Sequence, residues 1–199
     1  MTPRATARLF VAVVVPPPVR EELAAWARDV ASALGLREPL SASAPLRVLD
    51  PEAQHLTLCF LGTRPVEEIE TIGAAVSACA GYVGEVSVGA PLWLPPRRPR
   101  ALAVEVHDRG GGLASLYEAV SSETSRAIDW EPERRRFRAH ITVARMRESR
   151  RRHAIAEGAR LPATPQLRFT PESLVLYRSW LSRAGASYEP LVARVLVPS

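Results

Sequence analysis

The chain contains no lysine: all 26 basic residues are arginine, set against 21 acidic ones for a net charge of +5. It has only two cysteines in 199 residues, Cys59 and Cys79, which allow neither a disulfide framework nor a zinc-ligand pattern. Both stand among apolar neighbours, where an unpaired thiol acts as a small buried hydrophobe. No apolar run approaches the roughly 18 residues of a bilayer span. The apolar stretch near the start is cut short by Pro16, Pro17 and Pro18, and it reads as a strand rather than a secretion signal. The expectation is a cytoplasmic protein with no membrane partner, in a compartment where thiols stay reduced. A hydrophobic fraction of 47% and a charged fraction of 24% fit one globular domain spanning 1–199. Arginine can hold two oxygens of a phosphate at once, so the charge suits an anionic substrate, although charge alone describes a solvated surface equally well.

Hydrophobic periodicity gives a mixed order of elements. Arg8–Val15 is a β-branched strand. Val19, Leu23, Trp26, Val30 and Leu34 recur at steps of three and four, the spacing of one helix face, and Gly35 ends that helix. Residues 37–45 read as a loop. Strands are expected at Leu46–Leu49 and at Gln54–Leu61, the latter closed by Gly62. A helix carrying Val66, Ile69, Gly73, Val76 and Ala80 on its inner face follows. Val83–Leu94 and Arg100–Val106 are strands separated by a proline-rich loop, and a third helix begins near Gly110. Ala139–Arg145 is a strand, Glu148–Ala159 an arginine-rich helix, and three strands close the chain, the last two joined by a turn at 182–186. This order reads as an α+β fold with largely antiparallel pairing.

One pattern occurs twice, each time in a strand and each time after a strand and a helix: His55-Leu56-Thr57-Leu58 and His140-Ile141-Thr142-Val143. The arrangement reads as an internal duplication. In a strand, residues i and i+2 share a face, so each copy offers an imidazole and a hydroxyl on one side and apolar residues on the other. Side by side, the two pairs would line one groove suited to a phosphodiester. Either imidazole can give or take a proton near neutral pH, and the hydroxyls can donate to the non-bridging oxygens, with no metal or cofactor required. The two motifs are too alike for spacing to say which histidine is acid and which is base. His107 and His153 read as surface residues.

Alternation puts Arg145 on the face opposite His140 unless the strand ends or bulges there, and it sends Phe60 to the buried face. Arg134, Arg135, Arg136 and Arg138 precede the second motif. Arg136 and Arg138, with Phe137, are candidate substrate contacts, while Arg97, Arg98 and Arg100 read more readily as solvated. Trp93, Tyr177 and Trp180 are further rings on which a flat substrate group could stack.

These motifs, with the flanks RLFVAVVVPPPV, HLTLCFLG, PRRPRALAVEV, FRAHITVAR and LYRSWLSRAGASYEPL, resemble the two-histidine phosphoesterases, in particular the RNA 2′,3′-cyclic phosphodiesterases once named 2′–5′ RNA ligases. The resemblance implies two pseudo-symmetric lobes, each an antiparallel sheet with outer helices, flanking a central active-site groove. It also implies hydrolysis of 2′,3′-cyclic phosphate ends of RNA to 2′-phosphomonoesters, and the chain is expected to be a monomer. His55 would be the proton donor to the leaving 3′ oxygen, His140 the acceptor from water, and Thr57 and Thr142 their partners. The ending His-x-Thr-x-Ala-Arg marks Arg145 as a phosphate contact. Ala139 stands where the family usually has proline, and Cys59 where a polar or basic residue is common. The alternatives are 2′–5′ ligation, action on a small cyclic nucleotide, and non-catalytic binding of RNA ends.

Overall fold

The computed structural model describes residues 4–36, 45–79, 81–146, 161–182 and 185–196. The expected helix at 148–159, His153, most of the 37–45 loop, Ala80 and residues 183–184 of the last turn lie outside them.

The prolines that end β1 (Thr6–Val14) also start helix α1 (Pro17–Ala33), because a first-turn proline lacks only an N–H that would have no helical partner. Val19, Leu23, Trp26 and Val30 form its buried face. Gly35, at φ +61°, closes it: the N–H of Leu36 donates to the Ala31 carbonyl and that of Gly35 to Ser32. After β2 (Leu46–Val48) and a 3₁₀ turn at Pro51–Ala53 comes β3 (His55–Pro65). β3 does not stop at Gly62 as expected. Leu61 is an extra residue against β1, Gly62 takes φ +75° beside it, and the strand runs on past this bulge. α2 (Ile69–Ala78), β4 (Val86–Leu94), β5 (Ala101–His107), α3 (Gly112–Ala127), β6 (His140–Met146), β7 (Arg168–Phe169), β8 (Ser173–Ser182) and β9 (Gly185–Val195) complete the chain.

All strand pairings are antiparallel, in the order β7-β4-β5-β6-β3-β1-β8-β9, with β2 sharing with β3 the edge of β6 away from β5. The α+β architecture read from the sequence is the one observed. The sheet has two halves, β6-β5-β4-β7 and β3-β1-β8-β9, joined where Leu56 faces Ile141. Each half carries one motif strand, β3 or β6. The helices cross over: α1, from the first half, packs on β2 and β6, while α3, from the second, packs on β3. Leu56 and Ile141 are fully buried at the junction, each contributing about 1.5–3 kcal/mol of transfer free energy.

Candidate active site

His55 and His140 are the first residues of their strands, one on each side of the junction. Antiparallel direction on either side of the Leu56–Ile141 pair brings His55 towards Thr142 and Thr57 towards His140. All four side chains line one cavity of about 360 Å³.

The two motif strands bulge at the same place. Along β3, Cys59 lies opposite Val11 and Thr57 opposite Ala12, so Leu58 has no partner on β1. Along β6, Ala144 lies opposite Leu102 and Thr142 opposite Ala103, so Val143 has no partner on β5. A bulge reverses the alternation of side chains beyond it. Two successive buried residues, Leu58-Cys59 and Val143-Ala144, are therefore each followed by an exposed one, Phe60 and Arg145. Both Phe60 and Arg145 line the cavity. The expectation that Phe60 turns inward is thus corrected, since it is 50% exposed. The bulge needed to bring Arg145 to the histidine face is present. An alanine, Ala12 or Ala103, faces each motif threonine across the strand and leaves its hydroxyl unobstructed.

The residues around the two imidazoles differ. His55 lies against Phe10 (ring centroids 4.8 Å apart, stacked) and Tyr188 (4.9 Å, edge-on), with Tyr177 behind Phe10 at 5.2 Å. Val14 is its neighbour on β1. Burial among these rings is the main cause that lowers its pKa from 6.5 to about 4. A hydrogen bond to the backbone of Ala53 opposes the shift, while the charges of Arg145 and then His140 add to it. His140 instead has Glu105 opposite it on β5, and Glu105 is ion-paired with Arg138. The His140 Nδ1–H donates to the Arg138 carbonyl at 2.8 Å, which leaves Nε2 available.

Arg8, Arg47 and Arg145 supply the positive charge of the cavity, and no Asp or Glu among the described residues lines it. Nor do the described residues contain a group of three His, Cys, Asp or Glu side chains able to hold a metal ion. The sequence reading missed Arg8, Arg47, Phe10 and Tyr188, whose approach depends on the pairing of β1, β2 and β9 with distant strands. Arg136, Phe137 and Arg138 lie in a neighbouring cavity that shares Thr57, Phe60 and His140 with the first. Phe137 stacks on Tyr117 there at 4.8 Å. Trp93 is corrected as a stacking candidate because it is buried in the core. Trp180 is exposed, covered by the Arg178 guanidinium at 3.9 Å. Cys59 and Cys79 are buried thiols, and burial raises Cys59 to about 11. A further cavity, about 480 Å³, adjoins His107. Its carboxylates already have partners: Glu105 pairs with Arg138, and Asp108 caps α3 by accepting from the Leu113 N–H. The cavity with the paired imidazoles is therefore the better candidate for chemistry.

No family model matches the chain. It is 26% identical over 152 residues to an RNA 2′,3′-cyclic phosphodiesterase of Aeropyrum pernix, covering 74% of this chain and 84% of that protein. The crystal structure of TT0787 of Thermus thermophilus superposes with a TM-score of 0.72 at 25% identity, over 95% of this chain and 97% of the other. E. coli LigT complexed with 3′-AMP gives 0.75 at 21% identity, over 96% and 99%. The expected similarity to the two-histidine phosphoesterases is thereby borne out, in sequence by the first of these and in fold by the others.

Proposed function

We propose that this chain, which has the fold of the two-histidine phosphoesterases, opens 2′,3′-cyclic phosphates at RNA ends to give 2′-phosphomonoesters without a metal ion. One observation carries the reading: two His–Thr pairs converge on a single arginine-lined cavity across the Leu56–Ile141 junction. His140, with Nδ1 held by the Arg138 carbonyl, takes a proton at Nε2 from the attacking water. The water oxygen bonds to phosphorus, the bond from phosphorus to the 3′ oxygen breaks, and His55 gives its proton to that oxygen. Thr57 and Thr142 donate to the non-bridging oxygens, and Arg145 offsets their growing charge. Arg136, Arg138 and Phe137 border the path of the RNA. The chain acts as a monomer in the cytoplasm.

With a pKa of about 4, His55 is neutral at pH 7 in the free protein. Its role as donor requires the substrate phosphate, whose negative charge counters that of Arg145 and favours the imidazolium. The same low pKa favours a second reading in which His55 is the base and His140 the acid.

The test is incubation of the protein, with EDTA, on an RNA ending in a 2′,3′-cyclic phosphate, followed by mapping of the product phosphate. A 2′-phosphate that is absent with His55→Ala and with His140→Ala supports the reading, and full activity in either variant refutes it. A p-nitrophenyl phosphodiester, whose leaving group needs no proton, separates the roles. It restores turnover only to the variant lacking the acid, which is His55→Ala on the first reading and His140→Ala on the second.

A further inference from the structure

The cavity beside the histidine pair, about 380 Å³, is of a size to hold one small ligand. It meets the first cavity at Thr57, Phe60 and His140, so a ligand seated there touches the reacting centre. Its walls are rings. Phe60 stands between the two cavities and is half exposed. Trp130 is fixed beside it by an indole N–H that donates to the Phe60 carbonyl at 3.3 Å, on the stretch of β3 beyond its contact with β6. Phe137 and Tyr117 form a stacked pair opposite. Arg135 and Arg136 lie on the rim, exposed and without an ion-pair partner among the described residues, while Glu133 is the one carboxylate lining the cavity. Arg138 is already committed to Glu105.

Aromatic walls with a cationic rim are the arrangement that binds single-stranded nucleic acid by stacking the bases and pairing the backbone charge. We infer that this second cavity seats the nucleotide next to the terminal one in the same RNA strand, its base stacked among Phe60 and Trp130 and its phosphate on Arg135 and Arg136. The inference rests on the cyclic-phosphodiesterase reading and adds a substrate preference to it: two nucleotides or more over one. Among the described residues the lining contains no Asn or Gln, and the part assigned to its rings is stacking, which every base can supply, so the neighbouring base is selected for its presence rather than its identity.

The experiment compares a nucleoside 2′,3′-cyclic monophosphate with a dinucleotide ending in the same group. In parallel it measures binding of the corresponding 2′-phosphate mono- and dinucleotide products by calorimetry. Stacking of one base predicts a dinucleotide preference of about 5- to 150-fold, in kcat/KM and in product affinity. Trp130→Ala, and separately Arg135→Ser, should each reduce that preference several-fold and leave the mononucleotide values unchanged. The Arg135→Ser variant keeps the test open if Trp130→Ala does not fold. Equal handling of mono- and dinucleotide by the native chain, or variants that weaken both alike, overturns the inference while leaving the reaction intact. A Trp130-dependent preference for the dinucleotide product without any turnover would retain the subsite and reject the reaction. Transfer of the cyclic phosphate to an added nucleoside 5′-hydroxyl, abolished by Trp130→Ala, would assign the cavity to an acceptor strand and overturn the inference.

Discussion

His55 ties stability to pH with a sign that follows from its surroundings. Its pKa falls from 6.5 to about 4 on folding, chiefly because Phe10, Tyr177 and Tyr188 shield the ring from water. Between those values the unfolded chain binds a proton that the folded chain refuses, so stability declines as pH drops. A pKa difference of this size, 6.5 to about 4, is worth about 3 kcal/mol in full. About 2 kcal/mol is lost between pH 7 and pH 5, and most of the rest by pH 4. His55→Gln removes the titrating group and leaves the carboxylates in place. Urea unfolding of both chains at pH 7, 6, 5 and 4, in buffers without phosphate, should therefore show the native chain losing about 2–3 kcal/mol more than the variant. Parallel curves would mean that the ring titrates as if in water, and the shielding argument would fail. So would the account of why the free protein keeps His55 neutral.

Other expectations follow from the same contacts. If His55 is the donor, binding of a 2′-phosphate mononucleotide at pH 6 is accompanied by proton uptake, seen in calorimetry as a dependence on buffer ionisation heat; its absence would favour His55 as base. Arg20, buried in α1, donates to the Pro51 carbonyl at 3.4 Å and pairs with Glu52 at 3.0 Å, in the turn whose Ala53 backbone holds the His55 ring. Arg20→Met should lower kcat for the ribose leaving group more than for p-nitrophenolate, with Arg20→Lys partly restoring it, whereas equal losses on both substrates would mark Arg20 as merely structural. Leu56→Ala removes a fully buried side chain at the junction of the half-sheets and should cost about 2–5 kcal/mol in denaturant unfolding, with activity falling alongside.

The elements built on local pattern were legible in the sequence: α1 from its three- and four-residue spacing and Gly35, and the motif strands from their alternation. The meeting of the two His–Thr pairs was legible too, because two like strands of one sheet can share a face. Strict alternation failed at Leu58 and Val143, where an extra residue reverses the face. In β6 a signal was there to read, since Val143-Ala144 is an apolar pair in an otherwise alternating strand, whereas in β3 the apolar run Leu58-Cys59-Phe60-Leu61 conceals it. The likeness of the copies in fact extends over six positions, His-x-Thr-x-small-exposed, ending in Phe60 and Arg145. What distinguishes the two histidines was not legible. It lies in the cross-strand neighbours Val14 and Glu105 and in the rings of Phe10 and Tyr188, which register between distant segments supplies. Trp93 looked available on composition alone, but its strand faces the core there.

Each helix that precedes a motif packs beneath the other half's motif strand, α1 under β6 and α3 under β3. The halves are therefore interlocked like clasped hands, and neither could be cut away as a working unit. A fragment ending after β4 would leave α1 without the strand it covers, and one beginning at β5 would leave α3 exposed in the same way. The spacing of the two imidazoles thus belongs to the joined pair, so either half alone, however intact its own motif, holds only one side of the candidate site.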